Sequence, residues 1–194
     1  MGTTRLEAFS DGVIAILITI MVLELKLPAA PTFAALRETL PVLFTYLLSF
    51  VFLGIYWNNH HHMLHVTDRV NGAILWANLH LLFWLSLVPF ATRWIGETDG
   101  APLPVAAYGV VLLCSAVAYT IMQTLIIRLL GPDSILARAV QRDVKGKISI
   151  VLYVLAIGLA WVKPILSGAL YVIVALTWLA PDPRIESVIA TTPE

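Results

Sequence analysis

Residues 5–26, RLEAFSDGVIAILITIMVLELK, form a stretch that is apolar from Gly12 to Leu23 except for Thr19. As a helix rising about 1.5 Å per residue it covers about 33 Å, enough for the roughly 30 Å hydrocarbon core of a bilayer. Ser10 and Asp11 interrupt its start, and no small-residue cleavage site follows before Glu24 and Lys26. It is therefore expected to remain as a spanning helix rather than be removed as a signal peptide.

The rest of the 194-residue chain agrees. Hydrophobic residues make up 59%, charged residues 12%, and mean hydropathy is +0.87. A water-soluble domain of this size carries about twice that share of charge. The formal net charge is +0, with acids and bases scattered singly. That pattern excludes a nucleic-acid groove and leaves the lipid bilayer as the expected partner. Cys114 is the single cysteine, so neither an intrachain disulfide nor a C-x-x-C site is available.

Apolar stretches of spanning length lie near 5–26, 41–63, 71–95 and 104–130. The last stretch, 148–180, is about 50 Å as one helix, and Lys163 and Pro164 are expected to split it into spans 164–180 and 148–162. The fold class expected is all-α: a polytopic membrane protein with six helices in one domain over 1–194. Six spans put both termini on one side. Arg5, Arg69, Arg128, Arg138, Arg142, Lys145, Lys147 and Arg184 lie on that side, against Lys26, Arg37, Arg93 and Lys163 opposite. The excess predicts cytoplasmic termini, and Trp94, Trp161 and Trp178 fall near span ends as interfacial anchors do.

Polar groups inside a span need protein or water to face, so the first helix carries the most information. At about 100° per residue, Ile16, Ile20 and Leu23 share a narrow stripe with Phe9, and Ser10 and Asp11 point away from it. Two readings follow. The stripe is ordinary packing with a buried polar turn behind it, or it meets symmetry mates around a pore.

The string Arg5-Leu6-Glu7-Ala8-Phe9-Ser10-Asp11 resembles the R-x-x-x-F-S-D signature of the endolysosomal potassium channel family, transmembrane protein 175, and its prokaryotic relatives. Tyr56 through His61 and Asn78 through Pro89-Phe90 add to the resemblance. It implies a six-helix subunit of a homotetramer in a prokaryotic cell membrane, conducting potassium among monovalent cations. It further implies that the first helices surround the pore, with Ile16, Ile20 and Leu23 as a hydrophobic constriction and gate. Arg5, Phe9, Ser10 and Asp11 would belong to the scaffold network holding the pore helices.

No T-V-G-Y-G segment is present, so selectivity is not expected from a carbonyl filter. An isoleucine collar strips water from the ion, which penalises the loosely hydrated potassium ion less than sodium and allows closure by dewetting. Thr19 either offers a hydroxyl beside this path or bonds its own helix carbonyl. His80, deep in the third span, is either the partner of the Ser10 and Asp11 turn or a packed histidine. Asn78, Leu82, Leu85, Pro89 and Thr92 share a helical face as a packing seam, and Ser115, Tyr119 and Gln123 recur as interhelical contacts.

Two other functions compete. His60, His61, His62 and His65 include the i, i+4 spacing that clasps a transition metal, the basis of an intramembrane metal-dependent enzyme. No Glu stands between them as in H-E-x-x-H, so neither catalysis, a metal nor any cofactor is expected, and the cluster can simply face water. A secondary transporter would show internal repeats and broken helices.

Overall fold

The computed structural model of the chain describes residues 2–25, 27–140 and 144–179. Lys26, Arg142 and Arg184 of the charge asymmetry, and the expected span ends at 26 and 180, lie outside the described residues. Regular structure among these is all helix: α1 Thr4–Leu23, α2 Phe33–His65, α3 Gly72–Ser86, α4 Val88–Glu97, α5 Pro102–Leu130, α6 Ile135–Val140, α7 Val144–Leu159 and α8 Pro164–Leu179. Among the described residues, four segments are long and apolar enough to cross a bilayer, namely α1, α2, α3 with α4, and α5, while α8 is a shorter apolar helix.

Local chemistry explains where these boundaries depart from expectation. α2 starts at Phe33 rather than near 41 because Thr32 caps it, accepting the Ala35 N–H at 3.3 Å. Pro41 then sits inside α2 on an exposed turn, where it removes one backbone donor without ending the helix. The third span is interrupted at Leu87, since Pro89 cannot donate to the Leu85 carbonyl, and Leu87 N–H bonds Trp84 three residues back at 3.1 Å. The expected hairpin forms at Lys163 and Pro164. Lys163 N–H closes α7 on the Leu159 carbonyl at 2.8 Å, and Pro164 opens α8 at the position where its missing donor matters least. α7 begins at Val144 rather than 148, and the short α6 precedes it.

α5 is the central post, packed against α3, α4, α7 and α8, whereas α1 packs chiefly against α2 and α3. Tyr108 of α5 meets Tyr171 of α8 edge-on at 5.5 Å, and Tyr153 and Phe52 extend the aromatic core to α7 and α2. Burying tyrosines requires partners for their hydroxyls. Tyr171 donates to the Val105 carbonyl at 3.0 Å, and Tyr108 joins Ser49 at 2.9 Å, with Thr92 2.7 Å from the same Ser49 oxygen. That trio ties α2, α4 and α5 together.

Gly109 makes the α5 to α8 approach possible. A methyl there would overlap the Tyr171 hydroxyl and come within 2.8 Å of Ile157 Cγ1. Gly109→Ala is expected to cost about 1–3 kcal/mol through overpacking, read as a lower thermal midpoint of the detergent-purified protein. Gly158→Ala, with nothing within 4 Å of the added carbon, is expected to be neutral or slightly stabilising.

Candidate ion pathway and the network behind it

α1 divides cleanly into two faces. Leu6, Ser10, Ile14, Leu17 and Met21 are buried against the neighbouring helices. Arg5, Phe9, Gly12, Ile16, Thr19, Ile20 and Leu23 are exposed on the single chain, Ile16 by 56% and Leu23 by 80%. The face carrying the expected constriction is thus one that the subunit itself leaves uncovered. Thr19 Oγ1 donates to the Ile16 carbonyl at 2.9 Å, so its hydroxyl is engaged by its own helix.

Behind that face runs a buried polar bridge. The Ser10 hydroxyl donates to the Leu6 carbonyl at 2.8 Å and accepts from Asn78 Nδ2 at 3.0 Å. Asn78 Oδ1 in turn lies 2.7 Å from His60 Nε2. An amide oxygen only accepts, so the imidazole proton sits on Nε2, and Nδ1 is left without a hydrogen-bond partner. Ser10, Asn78 and His60 are all fully buried, and they join α1, α3 and α2. Asp11, half-buried, is held separately: its Oδ1 accepts the Trp57 indole N–H of α2 at 3.0 Å.

His80 is not part of this bridge, contrary to expectation. Two residues along α3 is a rotation of about 200°, so with Asn78 inward His80 faces outward, where its Nε2 accepts from Trp84 at 2.9 Å. The buried histidine is His60, and the buried residues of α2 carry its signal. Ser49, Leu53, Tyr56, His60 and Met63 recur at helical spacing, out of phase with His61 and His65. Arg5 and Phe9 are exposed with the outer stripe, so of the signature residues only Ser10 and Asp11 make the inward contacts described here. All five residues of the expected third-span seam, Asn78, Leu82, Leu85, Pro89 and Thr92, are buried. Tyr119 reaches the Asn59 carbonyl at 3.2 Å, whereas the Ser115 hydroxyl bonds back to Val111 in its own helix.

At the far end of α1, Glu24 pairs with Arg93 of α4 at 2.6 Å, and Arg93 also bonds Glu97 one turn on. Losing the central amide is the sharper perturbation. Asn78→Leu keeps the branched shape but leaves Ser10 and His60 facing carbon, and is expected to cost at least about 2 kcal/mol. His80→Ala, at an exposed position, is expected to cost about 0.5 kcal/mol or less. Thermal unfolding of the two purified variants separates these outcomes.

Comparison with known proteins bears on the whole arrangement. Residues 5–89 match the family model described as endosomal/lysosomal potassium channel TMEM175. A protein named potassium channel from a Chryseobacterium species is 55% identical over 186 residues, covering 96% of this chain and 97% of that one. A Streptomyces collinus potassium channel is 33% identical over 186 residues, 89% of each chain. The crystal structure of a lysosomal potassium-selective channel TMEM175 homolog from Chamaesiphon minutus matches with a TM-score of 0.78 at 27% identity, covering 91% of this chain and 96% of that one. The family and these relatives are channels, which excludes the metal-dependent enzyme reading of the histidine cluster. With the signature at residues 5–11, several apolar helices and a bacterial relative alike along nearly its whole length, this chain is a multi-pass membrane protein of the TMEM175 family.

Proposed function

We propose that the chain is one subunit of a homotetrameric potassium-selective channel in a prokaryotic cell membrane, with four copies of α1 around the ion path. The observation that carries this reading is the uncovered apolar face of α1. Ile16, Ile20 and Leu23 stand on it, while the polar residues Ser10 and Asp11 are turned to α3 and α2. A lipid-facing helix would share this separation, and the family match together with the bacterial relatives named potassium channels supports an axis of symmetry mates there instead. Four copies meeting along this face would place a collar of isoleucines on the axis, with Leu23 toward the Glu24 end.

In this reading the whole chain, 1–194, is one domain of six spans, and both termini are cytoplasmic. α7 and α8 supply the last two spans as the hairpin at Lys163 and Pro164. No cofactor is required, and the permeant ion is potassium, as the names of the bacterial relatives suggest. The ion loses part of its hydration at the collar without carbonyl replacement. The preference for potassium over sodium is therefore modest and set by hydration energy, and closure is a dewetting of the apolar ring.

The test is electrical. Purified protein in planar bilayers should give unitary currents that reverse near the potassium equilibrium potential, where a secondary transporter would give saturable coupled flux. Ile16→Asn widens and wets the collar, so unitary conductance should rise and potassium preference should fall. Unchanged conductance and selectivity in that variant would remove Ile16 from the constriction.

A further inference from the structure

The histidines of α2 that take no part in the buried bridge have a different assignment. His61 and His65 do not converge as a metal clasp, because their rings stack at 6.0 Å and 22°. Trp57, one turn earlier, stacks on His61 at 6.0 Å and 23°. What converges on His61 comes from α1. Glu7 and Asp11, one turn apart on that helix, face it, with His61 Nδ1 3.0 Å from Glu7 Oε1. One ligand atom from each of Glu7, Asp11 and His61 lies within 4.8 Å of the other two, and all three residues are partly buried.

We propose that Glu7, Asp11 and His61 form a binding site for a divalent transition metal of the zinc class. The donor set decides the metal. One imidazole nitrogen with two carboxylate oxygens, completed by a water, suits a four-coordinate ion, whereas calcium and magnesium favour six or more oxygens. Metal–ligand bonds of about 2.0–2.2 Å place neighbouring ligands about 3.5 Å apart, so the donor atoms, now within 4.8 Å of one another, draw together on binding. The surroundings already hold two of the ligands in place. The Trp57 indole N–H fixes one Asp11 oxygen at 3.0 Å and leaves the other to bind, and the Trp57 ring stacked on His61 restricts that imidazole.

Coordination at Nδ1 replaces the contact of that nitrogen with Glu7, and the neutral imidazole binds the ion as the tautomer that carries its single proton on Nε2. The bound ion links α1 to α2 directly, at the same end as the Ser10 to His60 bridge. Metal binding stands apart from the assignment of the ion path, since it concerns the opposite side of α1.

Tag-free purified protein titrated with zinc by calorimetry tests this. One ion per chain is expected, with affinity reduced about tenfold or more in Glu7→Gln and in His61→Ala, and unchanged in His65→Ala. The visible absorption of cobalt added to the unaltered protein gives a readout that does not depend on how the variants fold. Intense four-coordinate bands should appear and vanish when zinc is added. Absence of stoichiometric zinc binding overturns the proposal, as does binding that His65→Ala weakens as much as His61→Ala. Wild-type affinity in both Glu7→Gln and His61→Ala overturns it as well.

Discussion

The hydrogen-bonded bridge from Ser10 through Asn78 to His60 sets the rotation of α1 about its own axis. Polar side chains within a membrane span have to be satisfied by the protein itself. Ser10 has one such arrangement, with the Leu6 carbonyl and the Asn78 amide. Turning α1 by one residue, about 100°, would break it and carry part of the apolar outer stripe into the seam. The outward position of Ile16, Ile20 and Leu23 is in this sense a consequence of where one buried serine finds its partners.

The rest of the subunit behaves as a scaffold for that choice. α5 gathers α3, α4, α7 and α8, and at Gly109 it leaves no room for a methyl group. Gly109 lets the Tyr171 ring reach the backbone, and the Ser49, Thr92 and Tyr108 hydroxyls satisfy one another between three helices. α1 belongs to none of this. It is fastened at the signature end by Ser10 and by the Asp11 to Trp57 bond, and at the other end by the Glu24 to Arg93 ion pair. A solvent-exposed ion pair of this kind adds little to stability, so the signature end is the firmer attachment. A metal ion held by Glu7, Asp11 and His61 would strengthen that same end.

Much of the fold was legible along the chain. The long apolar runs, the break at Lys163 and Pro164, the buried seam on the third span and the two-sided character of α1 all follow from spacing within single segments. The departures have local causes that spacing understates. Thr32 caps α2 early enough to carry the helix through Pro41, and Pro89 divides the third span at Leu87.

The functional network was legible only in half. The Arg5 to Asp11 string marked α1, and its periodicity separated Ser10 and Asp11 from the apolar stripe, because both are properties of one helix. Which residues answer them is a property of several helices together. His80 sits deep in its span yet faces outward, since Asn78, two residues before it, takes the inward direction. His60 looks like one of a water-facing cluster but lies in phase with the buried face of α2. Sequence by itself determined membrane residence, the helical segments and the face each residue occupies on its own helix, because hydropathy and the 3.6-residue period act locally. Tertiary structure alone decided the partners of Ser10 and Asp11, and the meeting of Glu7 with His61. The relative rotation of packed helices is set by burial and hydrogen bonding between segments far apart in the chain.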